Sequence, residues 1–182
     1  MKVLVVGAGR VGLIMAVALA RLGHEVVCLE KDAERVGLLR QGRSPFWEAG
    51  LAEALQEELA AGRLAFAHAG TASAPVGAHA VESVVDAGER SAIAPGTQVV
   101  LLCVGTPSTP MGGIDMSQLE AAVDFLLPRL KRQLQSQLQW QAQLQAQLQV
   151  HQDDGSSSGK VVLVTKSTVP VGTARALAAR VA

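Results

Sequence analysis

Apolar residues along this chain come in short blocks of two kinds. "KVLVV" (2–6), "EVVCLE" (25–30), "RLAFA" (63–67), "TQVVLLCVG" (97–105) and "LVT" (163–165) are continuous apolar runs, several rich in β-branched residues. Runs of this length and type read as strands of a parallel sheet. Segments of helical composition lie between them: "VGLIMAVALARLG" (11–23), "DAERVGLLRQG" (32–42), the second half of "SPFWEAGLAEALQEELAAG" (44–62), and "DMSQLEAAVDFLLPRL" (115–130). Asp32 is placed to cap the second helix, and Asp115 or Ser117 the fourth. Gly23 closes the first. Strand and helix in alternation predict a doubly wound parallel α/β sheet of the Rossmann type. Residues 68–95, rich in Ala, Gly and Ser, are expected to form a loop with room for a short helix.

The last block asks for a tight turn. In "LVTKSTVPVGT" (163–173), Pro170 pushes Val169 into an extended conformation. Gly172 then turns the chain into "TARALAARVA", a run of good helix formers. The strand before this turn is expected to be buried. Lys166, Ser167, Thr168 and Thr173 surround the turn with polar groups.

One segment breaks the pattern. Gln stands at every odd position from Gln133 to Gln149, with mostly Leu or Ala between. Strict alternation is a strand signal, but Leu, Gln and Ala are good helix formers. A strand of that length is far outside the usual range. The segment is read as a helical continuation that projects from the domain, with disorder as the alternative. The whole chain, 1–182, is then one domain carrying a low-complexity Gln-rich insertion at 133–159, to which no function is assigned.

Composition narrows the class. Sixteen Lys and Arg balance sixteen Asp and Glu among 182 residues. No basic stripe points to nucleic acid or an anionic membrane. No apolar run reaches the roughly 18 residues of a membrane span. Arg10 and the glycines around it argue against a secretory leader, so a cytoplasmic protein is expected. Cys28 and Cys103 sit in apolar runs, as small hydrophobes of neighbouring strands. No metal-ligand spacing is present.

The candidate chemistry begins at "GAGRVG", a G-x-G-x-x-G at Gly7, Gly9 and Gly12. It lies between a strand and a helix, with Glu30 about twenty residues on, the arrangement of a dinucleotide site. Gly7 permits the tight turn, Gly9 the approach of a pyrophosphate, and Gly12 close packing of helix on strand. The helix N-terminus offers amides and a partial positive charge to phosphate. Glu30 can accept both ribose hydroxyls of an adenosine and opposes a 2′-phosphate, which favours NAD over NADP. FAD uses the same glycine pattern, so the motif alone leaves the cofactor open.

Taken with "GHEVVCLEKDAERV", "GRSPFWEAGLAEAL", "CVGTP", "GGIDMSQLEAA" and "KSTVPVGT", in that order, the chain resembles the NAD-binding domain of the UDP-glucose/GDP-mannose dehydrogenase family. The resemblance implies cofactor contacts at Val11, at Glu30 on the adenosine ribose, and at Arg35, Thr106 and Thr168. It implies oxidation of the C6 alcohol of a nucleotide sugar to a carboxylate, with two hydride transfers to two NAD. UDP-glucose is the leading substrate, ahead of GDP-mannose and UDP-N-acetyl sugars. Full-length relatives are expected to be homo-oligomers.

Two positions depart from the family pattern. Arg10 replaces an aromatic residue, and Ala49 replaces a proline. Arg10 is expected to point to solvent rather than to a phosphate. In the family a cysteine nucleophile and its partners follow the helix after "KSTVPVGT". The resemblance therefore implies no catalytic residue within 1–182, and this chain alone is expected to be inactive. A standalone NAD-binding module without catalysis is the alternative.

Overall fold

The computed structural model describes residues 1–69, 93, 96–148 and 160–181. The expected loop at 68–95 and the end of the Gln-rich segment, 149–159, fall largely outside these residues.

The strands are β1 (Lys2–Val6), β2 (Glu25–Glu30), β3 (Leu64–His68), β4 (Val99–Leu102) and β5 (Val162–Thr165). The helices are α1 (Arg10–Arg21), α2 (Ala33–Arg40), α3 (Leu51–Ala60), α4 (Ser117–Leu148) and α5 (Thr173–Val181). All strand pairs are parallel, in the order β3-β2-β1-β4-β5. The chain adds strands on one side of β1 as far as β3, then crosses to the other side with β4. That reversal opens a crevice at the carboxyl ends of β1 and β4, where ligands bind in open α/β sheets.

Strand residues alternate between two cores, as the two-residue period requires. Val3, Val5, Val26, Cys28, Phe66 and Leu101 face α1, α2 and α3. Leu4, Val6, Val27, Leu29, Val100 and Leu102 face α4 and α5. Both faces are thus covered at the sheet centre, the condition for the continuous apolar runs read from the sequence.

The caps follow the expected chemistry. Asp32 accepts hydrogen bonds from the amides of Glu34 and Arg35 at the start of α2. Asp115 accepts from the Ser117 amide at 2.9 Å, holding the entry to α4.

Two details differ from expectation. β5 is an edge strand, not a buried one: Leu163 packs into the second core, but Val162 is 56% exposed. Its outward face has no helix against it among the described residues. Cys103 lies one residue past β4, and the two cysteines flank β1 from β2 and β4 without being adjacent. Arg10 points to solvent as expected, its side chain 63% exposed, with two surface partners. Its guanidinium stands 4.8 Å from the centre of the Phe46 ring and 3.4 Å from Glu48 Oε2.

α4 runs on through the first half of the Gln-rich segment to Leu148, with Pro128 inside it. Leu119, Val123, Leu126 and Leu130 form its buried stripe. Leu138 is already exposed.

Candidate functional site

The turn after β1 is held from both sides. The Gly7 amide donates to Leu29 O at 2.7 Å, and the Cys103 amide donates to Val6 O at 2.8 Å. Gly7 has φ +97°, and a Cβ there would meet Cys103 O at 2.8 Å, so only glycine is tolerated. A Cβ on Gly12 would meet Gly7 O at 1.8 Å. α1 can therefore lie against the turn only with glycine at that position.

Gly9 is different. Its φ is −69°, open to any residue, and a Cβ there would meet no atom within 4 Å. Neither the backbone nor the packing of the described residues calls for glycine. The vacant space lies at the start of α1, where the first intrahelical bond runs from the Leu13 amide to Gly9 O at 2.9 Å. The amides of Arg10, Val11 and Gly12 precede that bond and have no acceptor within the helix. Val11 contributes to this corner through its amide, since its side chain is largely exposed.

A cleft of about 730 Å³ spreads from this corner, within the range of small-ligand sites. Gly7, Gly9, Glu30 and Arg35 line it, with Lys31 beside them. The opposite wall comes from Gly105 and from one face of α4: Gln118, Ala121, Ala122 and Phe125. Lys31 Nζ donates to Gln118 Oε1 across the cleft at 3.3 Å.

Glu30 is 4% exposed. Its Oε2 accepts from the Ala8 amide at 2.8 Å and from Arg35 Nη1 at 3.3 Å. Its Oε1 accepts from the amides of Lys31 at 2.8 Å and Asp32 at 3.0 Å. The acid thus fastens the glycine turn to the end of β2. Arg35 also pairs with Asp32 at 3.7 Å.

Thr106 and Thr168 stand outside the wall of this cleft. Thr106 Oγ1 donates to Thr168 O at 2.8 Å. Nearby, Ser167 Oγ donates to Val104 O at 2.7 Å, and Thr173 Oγ1 to Pro170 O at 2.8 Å. The hydroxyls of Thr106 and Ser167 thereby tie the segments after β4 and β5 together next to Gly105, while that of Thr173 holds the turn into α5.

Neither cysteine is disposed to act as a nucleophile. Burial pushes both thiols up, that of Cys28 most. At Cys103 the nearby Lys166 opposes the shift only in part. No group of three or more His, Cys, Asp or Glu among the described residues is placed to hold a metal ion. No helix among them is long and apolar enough to cross a membrane.

The sequence reading brought Gly7, Gly9, Gly12, Glu30 and Arg35 to one place. It missed Lys31, Gln118 and Phe125. Positions 118, 121, 122 and 125 lie on one helical face, beside the buried stripe of α4.

The arrangement fits a dinucleotide. Free helix amides and the open Gly9 space would receive a pyrophosphate, and the apolar α4 face an adenine. The pattern of the UDP-glucose/GDP-mannose dehydrogenase family, NAD binding domain, matches residues 1–138. The UDP-glucose 6-dehydrogenase of Pseudomonas aeruginosa is 34% identical over 174 residues, which is 96% of this chain and 28% of that protein. The GDP-mannose 6-dehydrogenase of Azotobacter vinelandii is 33% identical over 66% of this chain and 23% of its own length. Among solved structures, a UDP-glucose dehydrogenase from Pyrobaculum islandicum superposes with a TM-score of 0.64 at 31% identity. The match covers 99% of this chain and 33% of that one. This chain spans about a third or less of the length of each of these relatives.

Proposed function

Because the chain belongs to the UDP-glucose/GDP-mannose dehydrogenase family, as its NAD-binding domain, we propose that the cleft beside Gly9 is the NAD site of a nucleotide-sugar dehydrogenase. The carrying observation is the glycine that the chain itself does not need. A Cβ at Gly9 has no neighbour within 4 Å among the described residues, and this open space lies on the wall of the cleft at the N-terminus of α1, which supports a phosphate there.

In this reading the amides of Arg10, Val11 and Gly12 receive the pyrophosphate, helped by the partial positive charge of α1. Glu30 holds the Ala8 amide and meets the adenosine ribose. Ala121, Ala122 and Phe125 cover the adenine. Thr106 and Thr168 shape the nicotinamide end by tying β4 to β5. NAD, when bound, supplies the acceptor for hydride.

UDP-glucose is the preferred substrate. The similarity to the Pseudomonas aeruginosa UDP-glucose 6-dehydrogenase runs over 96% of the chain, against 66% for the GDP-mannose 6-dehydrogenase. Oxidation of its C6 alcohol to the carboxylate removes four electrons. It therefore uses two NAD in turn, and water supplies the second oxygen. The cysteine that would carry the sugar between the two steps is neither Cys28 nor Cys103, so the reacting groups come from outside these residues.

The test combines two measurements on the purified chain. Calorimetric titration with NAD should show one saturable site. Addition of UDP-glucose and NAD should give no NADH absorbance, since loss of acid–base help alone costs about 10²–10⁴-fold. Failure to bind NAD would overturn the site. Steady formation of NADH would overturn the assignment of the reacting groups elsewhere.

A further inference from the structure

Past Leu130, α4 leaves its own domain. The side chains of Lys131, Arg132, Gln135, Ser136, Leu138 and Gln139 are exposed, yet the helix continues to Leu148, about 27 Å beyond Leu130. A helix that stands in solvent is ordinarily supported by charged pairs at i, i+4 spacing. This one has no Asp, Glu, Lys or Arg from Gln133 to Leu148, and Leu138 is 57% exposed. An uncharged helix with exposed leucine gains from a neighbour.

The residue sizes say which neighbour. Positions 134, 138, 142 and 146 follow one another at i+4 spacing and form one ridge. The ridge is graded, with Leu134 and Leu138 at its start and Ala142 and Ala146 at its end. Against the same ridge of an antiparallel second copy, centred on Ala142, Leu138 of each copy meets Ala146 of the other. Large meets small, as interdigitating helices require, and the two-fold repeats the contact. A parallel copy would crowd leucine on leucine at one end and leave alanine facing alanine at the other. The opposite ridge, positions 136, 140, 144 and 148, reads Ser, Trp, Leu, Leu. In the antiparallel arrangement it would set Trp140 on Leu144, large on large.

Charge selects the same orientation. Lys131 and Arg132 precede the uncharged run, and Asp153 and Asp154 follow it. Antiparallel copies bring opposite signs together at each end, whereas parallel copies align like signs.

We propose that residues 133–148 are a self-association surface, on which a second copy of this chain seats its own α4 antiparallel, about a two-fold axis at Ala142. The proposal rests on α4 and not on the dinucleotide reading. Two crossing helices make a contact at the low end of interface sizes, so the dimer is weak, with a dissociation constant of about 10–100 μM.

The test is sedimentation equilibrium of the whole chain from about 5 to 500 μM, a range that brackets this constant. The unaltered chain should show a monomer–dimer equilibrium. Leu138→Glu puts an unpaired charge into the contact and should weaken the dimer at least about tenfold. Its urea midpoint and helical circular dichroism should stay unchanged, because Leu138 lies outside the core. Ala146→Leu crowds the contact and should weaken the dimer about tenfold. Combining Ala146→Leu with Leu138→Ala exchanges the large and small ends and should restore the dimer to within about threefold of the original. A failure of that restoration would overturn the antiparallel pairing. A chain still monomeric at the highest concentration would overturn the proposal. So would a dimer indifferent to Leu138→Glu or to Ala146→Leu, which would place the contact elsewhere. Association with loss of helical signal and gain of strand signal would also overturn it, since the two-residue period of the Gln-rich segment would then be what binds.

Discussion

Gly9 and Gly12 stand three residues apart, and a methyl group would meet opposite fates at the two. At Gly12 it would lie 1.8 Å from Gly7 O, a backbone atom that cannot step aside. Gly12→Ala should therefore destabilise the fold by about 3 kcal/mol, the upper part of the usual range for overpacking, as read from urea unfolding. At Gly9 the same group would enter open space. Sequence alone assigned both glycines to one motif and gave each a task, and the structure separates a packing requirement from vacant space. The occupancy of Glu30 was not legible. An acid at the end of a strand advertises acceptors, but the donors that fill them come from Ala8, twenty-two residues earlier, and from the turn that follows. Arg10 is exposed as expected, but its surface partners were not legible. Its partners, Phe46 and Glu48, lie in a loop whose path no local pattern fixes.

At the scale of elements, periodicity located strands and helices well because most are covered on a definite side. β5 shows the limit. An apolar run says which residues gain from cover, not whether a neighbour is present, and Val162 and Val164 of this edge strand remain exposed. α4 shows the opposite case. Its Gln/Leu alternation has a strand period, yet helix propensity and the buried stripe of Leu119, Val123, Leu126 and Leu130 carry the helix to Leu148. Past Leu130 the described side chains contribute little to the core, and Leu138 is 57% exposed. Replacing residues 135–159 by a short Gly/Ser loop should thus cost less than about 1 kcal/mol, because loop length changes closure entropy only slowly. It should leave NAD affinity unchanged. A loss of several kcal/mol on urea unfolding would place this segment against the core.

Across the whole molecule, the candidate site is a product of topology. The glycine turn follows β1, Glu30 ends β2, Gly105 follows β4 and Gln118 opens α4. These positions are brought together because strand order reverses between β1 and β4. The central claim is that the space beside Gly9 receives the pyrophosphate of NAD. Gly9→Asn tests it most directly. Gly9 occupies the N-cap of α1, and asparagine is among the preferred N-cap residues, so the fold should keep its unfolding free energy within about 0.5 kcal/mol. The side chain fills the space a phosphate would need. Calorimetry should show NAD affinity falling about a hundredfold, as expected for a site closed by overpacking. NAD affinity equal to that of the unaltered chain, with the fold intact, would contradict the account.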